Sequence, residues 1–149
     1  DQLFATTPRQ DIYWGLKERG GEPKEAKELV TYWLQRLGIE HLADMPLARL
    51  SFGEKKRVAL AATLSLEPRV LLCDEPTAGL DYLAAKKLIR ILEEIAMERA
   101  ISVIWVSHDL INLPKRLSKS LLLKNGHTTF YGPIEKALRP EQLVSSGLR

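Results

Sequence analysis

Between Arg69 and Val106 the chain passes through a short apolar run, a long amphipathic stretch and a second short apolar run. Arg69-Val70-Leu71-Leu72-Cys73 is bounded by turn residues, the pattern of a strand buried on both faces. From about Tyr82 to Arg99, Ala84, Leu88, Ile91, Leu92 and Ile95 recur at helical spacing and make one apolar stripe. Ile101 to Val106 is again short and rich in β-branched residues, so it reads as a second buried strand. A strand, a helix and a strand in that order predict a parallel pair joined by a crossover helix. That constrains the fold class to α/β more than any other feature of the chain.

The residues before Arg69 have a different character. Thr7-Pro8-Arg9-Gln10 is a capping box with proline at the first helical position, and it predicts a short helix through Ile12 and Leu16 that stops at Gly20-Gly21. A second helix is expected from about Pro23 to Leu37, with Ala26, Leu29, Val30, Trp33, Leu34 and Leu37 on one face and Gly38 closing it. Pro46 breaks the short segment that follows. Ser51, with Glu54 three residues later, opens a third helix that runs to about Leu66. After Val106, a short helix is expected behind Asp109. Leu121–Lys124 and Thr128–Tyr131, split by Asn125-Gly126, read as a hairpin, and Ile134–Leu138 as a helical turn or two.

Composition narrows the function. The 149 residues are enough for one domain, or a large part of one, with a buried core. The formal charge of +3 comes from Lys and Arg spread along the chain, with no basic arm and no basic stripe interleaved with aromatics, so no nucleic-acid partner is expected. Cys73 is the single cysteine, which excludes an intramolecular disulfide, and its apolar neighbours predict a core position. No apolar run is long enough to cross a bilayer, so a membrane role would be peripheral. There is no internal repeat.

Two stretches carry candidate chemistry. In Val70-Leu71-Leu72-Cys73-Asp74-Glu75-Pro76 an apolar strand ends in adjacent carboxylates. Ligands of open α/β sheets bind at the carboxyl ends of strands, which puts Asp74 and Glu75 at a ligand edge. Neighbours in an extended chain point opposite ways, so one can hold Mg²⁺ while the other orients and deprotonates a water. The plainer alternative is a polar turn. The second strand ends in Ser107-His108-Asp109, which brings His108 to the same edge, with Asp109 a candidate helix cap. His41 and His127 lack such company and are taken as structural. Thr77-Ala78-Gly79-Leu80-Asp81 reads as a loop with Asp81 capping the next helix. The other stretch is Leu50-Ser51-Phe52-Gly53-Glu54. It is a helix cap, and the amides of a helix N-terminus with a small Gly53 can also hold a phosphate. Lys55, Lys56 and Arg57 read as a solvated helix face.

"LSFGEKKRVALA", "VLLCDEPTAGLD" and "VIWVSHDL", in this order and spacing, resemble the second half of an ATP-binding cassette (ABC) ATPase. The first resembles the family signature, the second Walker B and the D-loop, the third the switch histidine. The resemblance covers essentially the whole chain. It implies an α/β, P-loop NTPase-like ABC ATPase domain in part: a helical subdomain over 1–66, half of the parallel-sheet core over 67–138, and the start of a C-terminal extension over 139–149. The segment 1–7 with "DIYWG", and "NGHTTFYGPIEKAL", are similar to ATPases of energy-coupling-factor transporters, a subfamily that carries cobalt, nickel or vitamins.

The resemblance implies a role for each matching residue. Asp74 would hold Mg²⁺ through water, Glu75 would be the general base, and His108 would contact the γ-phosphate of ATP. Asp81 would work at a dimer interface. Ser51, Gly53 and the adjoining Glu54 would face nucleotide held by a second ABC ATPase subunit, identical or not. Integral membrane transporter subunits would be the other partners, at the cytoplasmic face of the cell membrane, with Trp14, Trp33 and Phe4 as candidate contacts. Phe52 stands where the family has its first glycine and Glu54 where it has glutamine, so slower turnover is expected.

A G-x-x-x-x-G-K-[ST] phosphate cradle does not occur in these 149 residues. By resemblance it would precede Asp1, together with the adenine-stacking aromatic and the Q-loop, and this chain alone is then expected to be inactive. Three functions are open: the ATP-hydrolysing subunit of an importer; the same ATPase with another client, a soluble ABC protein acting on nucleic acid or the ribosome; and, of a different class, a non-catalytic module that offers its signature helix to a partner.

Overall fold

The computed structural model describes residues 5–20 and 22–147. They form two compact units, and the chain passes from the first to the second between Val106 and Ser107.

The first unit begins with three helices. In α1 (Pro8–Glu18) the Thr7 side chain accepts a hydrogen bond from the Gln10 amide, with Pro8 in the first turn. In α2 (Pro23–Arg36) the buried face is Ala26, Val30, Trp33 and Leu34. Helix α3 (Phe52–Ser65) buries Val58, Ala61, Leu64 and Ser65. Between α2 and α3, Glu40–Leu42 and Leu47–Arg49 are single 3₁₀ turns around the Pro46 break. The three helices pack on one another, and their apolar faces continue into Leu71 and Cys73 of β1 (Val70–Asp74) and Leu88, Leu92 and Ile95 of α4 (Tyr82–Glu98). Each fully buried Leu, Ile or Val contributes roughly 1.5–3 kcal/mol, so this cluster dominates the unit's stability. Across its surface Arg36 of α2 pairs with Glu94 and Glu98 of α4, and the Arg99 guanidinium lies 5.4 Å from the Tyr32 ring centre. Exposed pairs of this kind add about 0–1 kcal/mol each.

Strand β1 pairs with β2 (Ser102–Val106) in parallel, from Val70 against Ser102 to Asp74 against Val106, with α4 as the crossover. The expected strand–helix–strand unit is present. The expectation of burial on both faces is not met. Leu71 and Cys73 are buried while Val70, Leu72, Ile104 and Val106 are exposed. Within this unit the helical core covers one face of a two-stranded sheet, and the alternating residues of each strand point away from it. The apolar run therefore marks a sheet whose second face lacks cover among the described residues.

The second unit is the hairpin β3 (Lys119–Lys124) and β4 (His127–Pro133), followed by α5 (Ile134–Ala137) and α6 (Pro140–Ser146). Asn125 and Gly126 both have positive φ, as a tight hairpin turn needs. The short helix expected after Asp109 is absent, and Asp109 is not a helix cap. Its carboxylate instead accepts from the Ile111 and Asn112 amides at 2.9 and 3.3 Å and from the Asn112 side chain. This closes a local turn, and Pro114 prevents its extension into a helix. Helix α6 is an element that the sequence reading treated only as the start of an extension.

Candidate functional site

At the start of α3 the capping box is closed in both directions. The Glu54 amide donates to the Ser51 hydroxyl at 3.4 Å, and the Ser51 amide donates to the Glu54 carboxylate at 2.8 Å. The Ser51 hydroxyl also donates to that carboxylate, at 2.7 Å. These bonds to the Ser51 side chain and backbone hold the Glu54 carboxyl below its ordinary pKa. An internal anion thus sits at the positive end of the helix, and a phosphate approaching Ser51 meets a carboxylate already bonded there.

Gly53 has a use inside the fold. A Cβ on it would come 2.7 Å from Leu80 Cδ2, so its missing side chain is where Leu80 packs. Phe52, which is 59% exposed, lies against Gly79. Gly79 has φ +74, and a Cβ there would come 3.0 Å from two carbons of the Phe52 ring. The first turn of α3 and the loop after β1 are therefore matched surfaces, and each glycine admits a bulky side chain from the other.

That loop starts at the strand-end carboxylates. Asp74, the last residue of β1, is exposed and stands opposite Val106 in the ladder. Glu75 leaves the extended conformation, with φ +44, while its amide still donates to the Val106 carbonyl at 2.9 Å. The backbone thus leaves the strand between the two carboxylates. Asp81 ends the loop and caps α4, accepting from the Ala84 amide at 2.9 Å. His108 is exposed and stands two residues beyond β2, in the second unit.

One residue of the site was misread from the sequence. Lys56 is not part of a solvated face. It is half-buried, and its ammonium donates to the Glu75, Pro76 and Ala78 carbonyls at 2.7, 3.2 and 2.7 Å. The nitrogen also lies 4.8 Å from the Phe52 ring centre. Burial lowers the Lys56 pKa from its ordinary value, and the charge of Glu75 works against that lowering. The only hint in the sequence was the spacing of four between Phe52 and Lys56, which puts them on one helix face. Cys73 is buried as expected, and burial pushes its thiol up to about 11. Trp33 is 1% exposed and therefore offers nothing to a partner, whereas Trp14 is exposed. Phe4 lies outside the described residues.

The model of the ABC transporter family matches residues 2–78, about half of the chain. The chain belongs to the ABC transporter family. Among its relatives is the energy-coupling factor transporter ATP-binding protein EcfA3 of Clostridium perfringens, 35% identical over 97% of this chain and 50% of that protein. A putative ABC transporter ATP-binding protein of Methanopyrus kandleri is 36% identical over 100% of this chain and 56% of that protein. The chain spans about half the length of the curated relatives it matches. The solved structure of cbiO1 from Clostridium perfringens, part of the ABC transporter complex cbiONQ, superposes with a TM-score of 0.83 at 35% identity, over 97% of this chain and 57% of that one. A putative metal-chelate type ABC transporter in an inward-facing conformation superposes at 0.86 with 22% identity, over 99% and 60%. The fold is α/β, that of part of an ABC ATPase domain.

The residues suit the nucleotide and cation that this family implies. The described residues hold no cluster of three or more His, Cys, Asp and Glu side chains able to bind a metal alone. A magnesium ion carried by a triphosphate needs only one or two protein carboxylates, and exposed Asp74 can be one. A phosphate oxygen at the start of α3 would take the Ser51 hydroxyl and amide from the Glu54 carboxylate that now accepts from them.

Proposed function

We propose that this chain supplies the signature helix, Walker B strand and switch segment of the ATP-hydrolysing subunit of an ABC importer of the energy-coupling-factor type. Residues 1–66 form the helical part, 67–138 the second half of the ATPase core, and 139–149 begin a C-terminal extension. The observation that carries the reading is the interlock of two catalytic elements in one body. The capped start of α3 and the carboxylate loop after β1 are joined by Gly53 with Leu80, Phe52 with Gly79, and Lys56 with three carbonyls. The names of the relatives support the transporter class.

In this reading ATP binds between two such subunits with Mg²⁺, which supplies positive charge to the phosphate oxygens. Asp74 holds the cation. Glu75 orients the attacking water and takes its proton. His108 contacts the γ-phosphate. Ser51 and Gly53, with Glu54 beside them, face the nucleotide of the second subunit, and Asp81 lines the interface. Glu54 slows turnover by keeping a negative charge beside that phosphate. The exposed apolar face formed by Val70, Leu72, Ile104 and Val106 takes the rest of the sheet and its phosphate cradle. No helix among the described residues is long and apolar enough to cross a membrane. The subunit works at the cytoplasmic face of the cell membrane, against integral transporter subunits, with exposed Trp14 as a contact. A metal ion or a vitamin is the cargo.

Two measurements test this. The coding DNA upstream of Asp1 should carry an in-frame G-x-x-x-x-G-K-[ST] after a strand pattern; a start codon there with no such cradle overturns the catalytic reading. The 149-residue chain alone should show no ATP hydrolysis, and robust hydrolysis that disappears in Glu75→Gln would overturn the proposed need for a separate phosphate cradle.

A further inference from the structure

We infer that Lys56 is a positioning residue for Glu75, holding the loop after β1 in its catalytic shape from the neighbouring helix. This deepens the reading of Glu75 as the general base and rests on it.

An ammonium has three N–H donors and no acceptor. At Lys56 all three find acceptors in one turn: the carbonyls of Glu75, Pro76 and Ala78. Oxygens of the loop replace the water that burial removes from the charge, so the cation and the loop conformation are stable together. The loop needs the help. Glu75 has φ +44, a backbone conformation that a side chain makes costly and that persists only where the surroundings enforce it. The buried Thr77 hydroxyl in the middle of the loop has no hydrogen-bond partner among the described residues. The loop's internal bonds are the Ala78 amide to the Glu75 carbonyl at 3.2 Å and the Leu80 amide to the Thr77 carbonyl at 3.1 Å. Two of the three carbonyls that Lys56 engages flank Thr77 and the third belongs to Glu75 itself, so the charge gathers the turn around one point.

Phe52 completes the arrangement. Its ring lies 4.8 Å from the ammonium and against Gly79. The aromatic that stands in place of the family's first glycine is thus matched to Lys56 one turn along the helix.

The test uses the full-length protein with Lys56→Met, which keeps the stem and removes the charge, and Lys56→Arg, whose planar fork cannot bring three donors to one point. Amide exchange at Ala78 and Leu80 should rise at least about tenfold in Lys56→Met, from the loss of charge-assisted bonds, while amides of α1 and α2 keep their protection. Lys56→Arg should fall between Lys56→Met and the parent. The kcat for ATP should drop about tenfold or more with KM within about twofold, because the base is displaced while substrate binding is kept. Unchanged exchange at 75–80, or equal loosening of the whole unit, overturns the inference. So does an unaltered kcat in Lys56→Met when Glu75→Gln is inactive. If Glu75→Gln retains full turnover while Lys56→Met still loosens the loop, the base assignment fails and the inference fails with it, leaving Lys56 as a structural tether.

Discussion

At Ser51 the chain closes a helix with residues three apart; at Glu75 it bends the backbone into a loop that a lysine nineteen residues earlier grips. Ser51 and Glu54 satisfy each other's amides, so the start of α3 would form this cap in any context that permits the helix. The loop from Glu75 to Leu80 has two short-range bonds of its own and is gripped from α3: by Lys56 on its carbonyls, by the Phe52 ring on Gly79 and by the Gly53 gap that admits Leu80. The first region is local and modular. The second exists only after tertiary packing. Under the proposed function, the Ser51 end would be preformed while Glu75 would depend on the contact between the two regions.

The comparison predicts how each region responds to damage. The largest effect should come from the shared core. Leu64→Ala removes a side chain that is 1% exposed and should cost about 2–5 kcal/mol. Both regions rest on that core, so amide exchange should quicken in both; loosening of only one would break the comparison. Gly79→Ala comes next. Its φ of +74 and the ring at 3.0 Å should cost about 1–3 kcal/mol, felt in the 75–80 loop and not in the capping box. Gly79→Asn should recover part of the loss in thermal melts, since asparagine tolerates that conformation.

Ser51→Ala should cost about 1 kcal/mol at neutral pH and leave the loop's exchange unchanged. The smallest effect is its pH dependence. Glu54 is held below its ordinary value of 4.5, so its ionised form stabilises the folded state above that value. The contribution fades as pH falls through the lowered pKa. The melting-temperature gap between the parent and Ser51→Ala should therefore narrow on acidification and hold constant from neutral pH upward. A gap that widens in acid would show that the carboxylate opposes the cap.

Several elements were legible before any coordinates. The caps at Thr7, Ser51 and Asp81 were readable because a side chain bonding an amide three residues away is a short-range event. The crossover from β1 to β2 followed from the alternation of apolar runs. The short helix after Asp109 was misread because a cap and a closed Asx turn begin with the same residue, and Pro114 decided between them. Lys56 was misread because a lysine on a helix carries no sign of which carbonyls will reach it.

The sequence by itself determined the helix starts, the strand–helix–strand order and the placement of Asp74 and Glu75 at a strand end, since each rests on spacings of a few residues. Only the tertiary structure decided which face of β1 and β2 is covered, that Gly53 serves Leu80, and that Lys56 holds the Glu75 loop. Those contacts join residues about twenty or more positions apart, where packing rather than local propensity selects the partner.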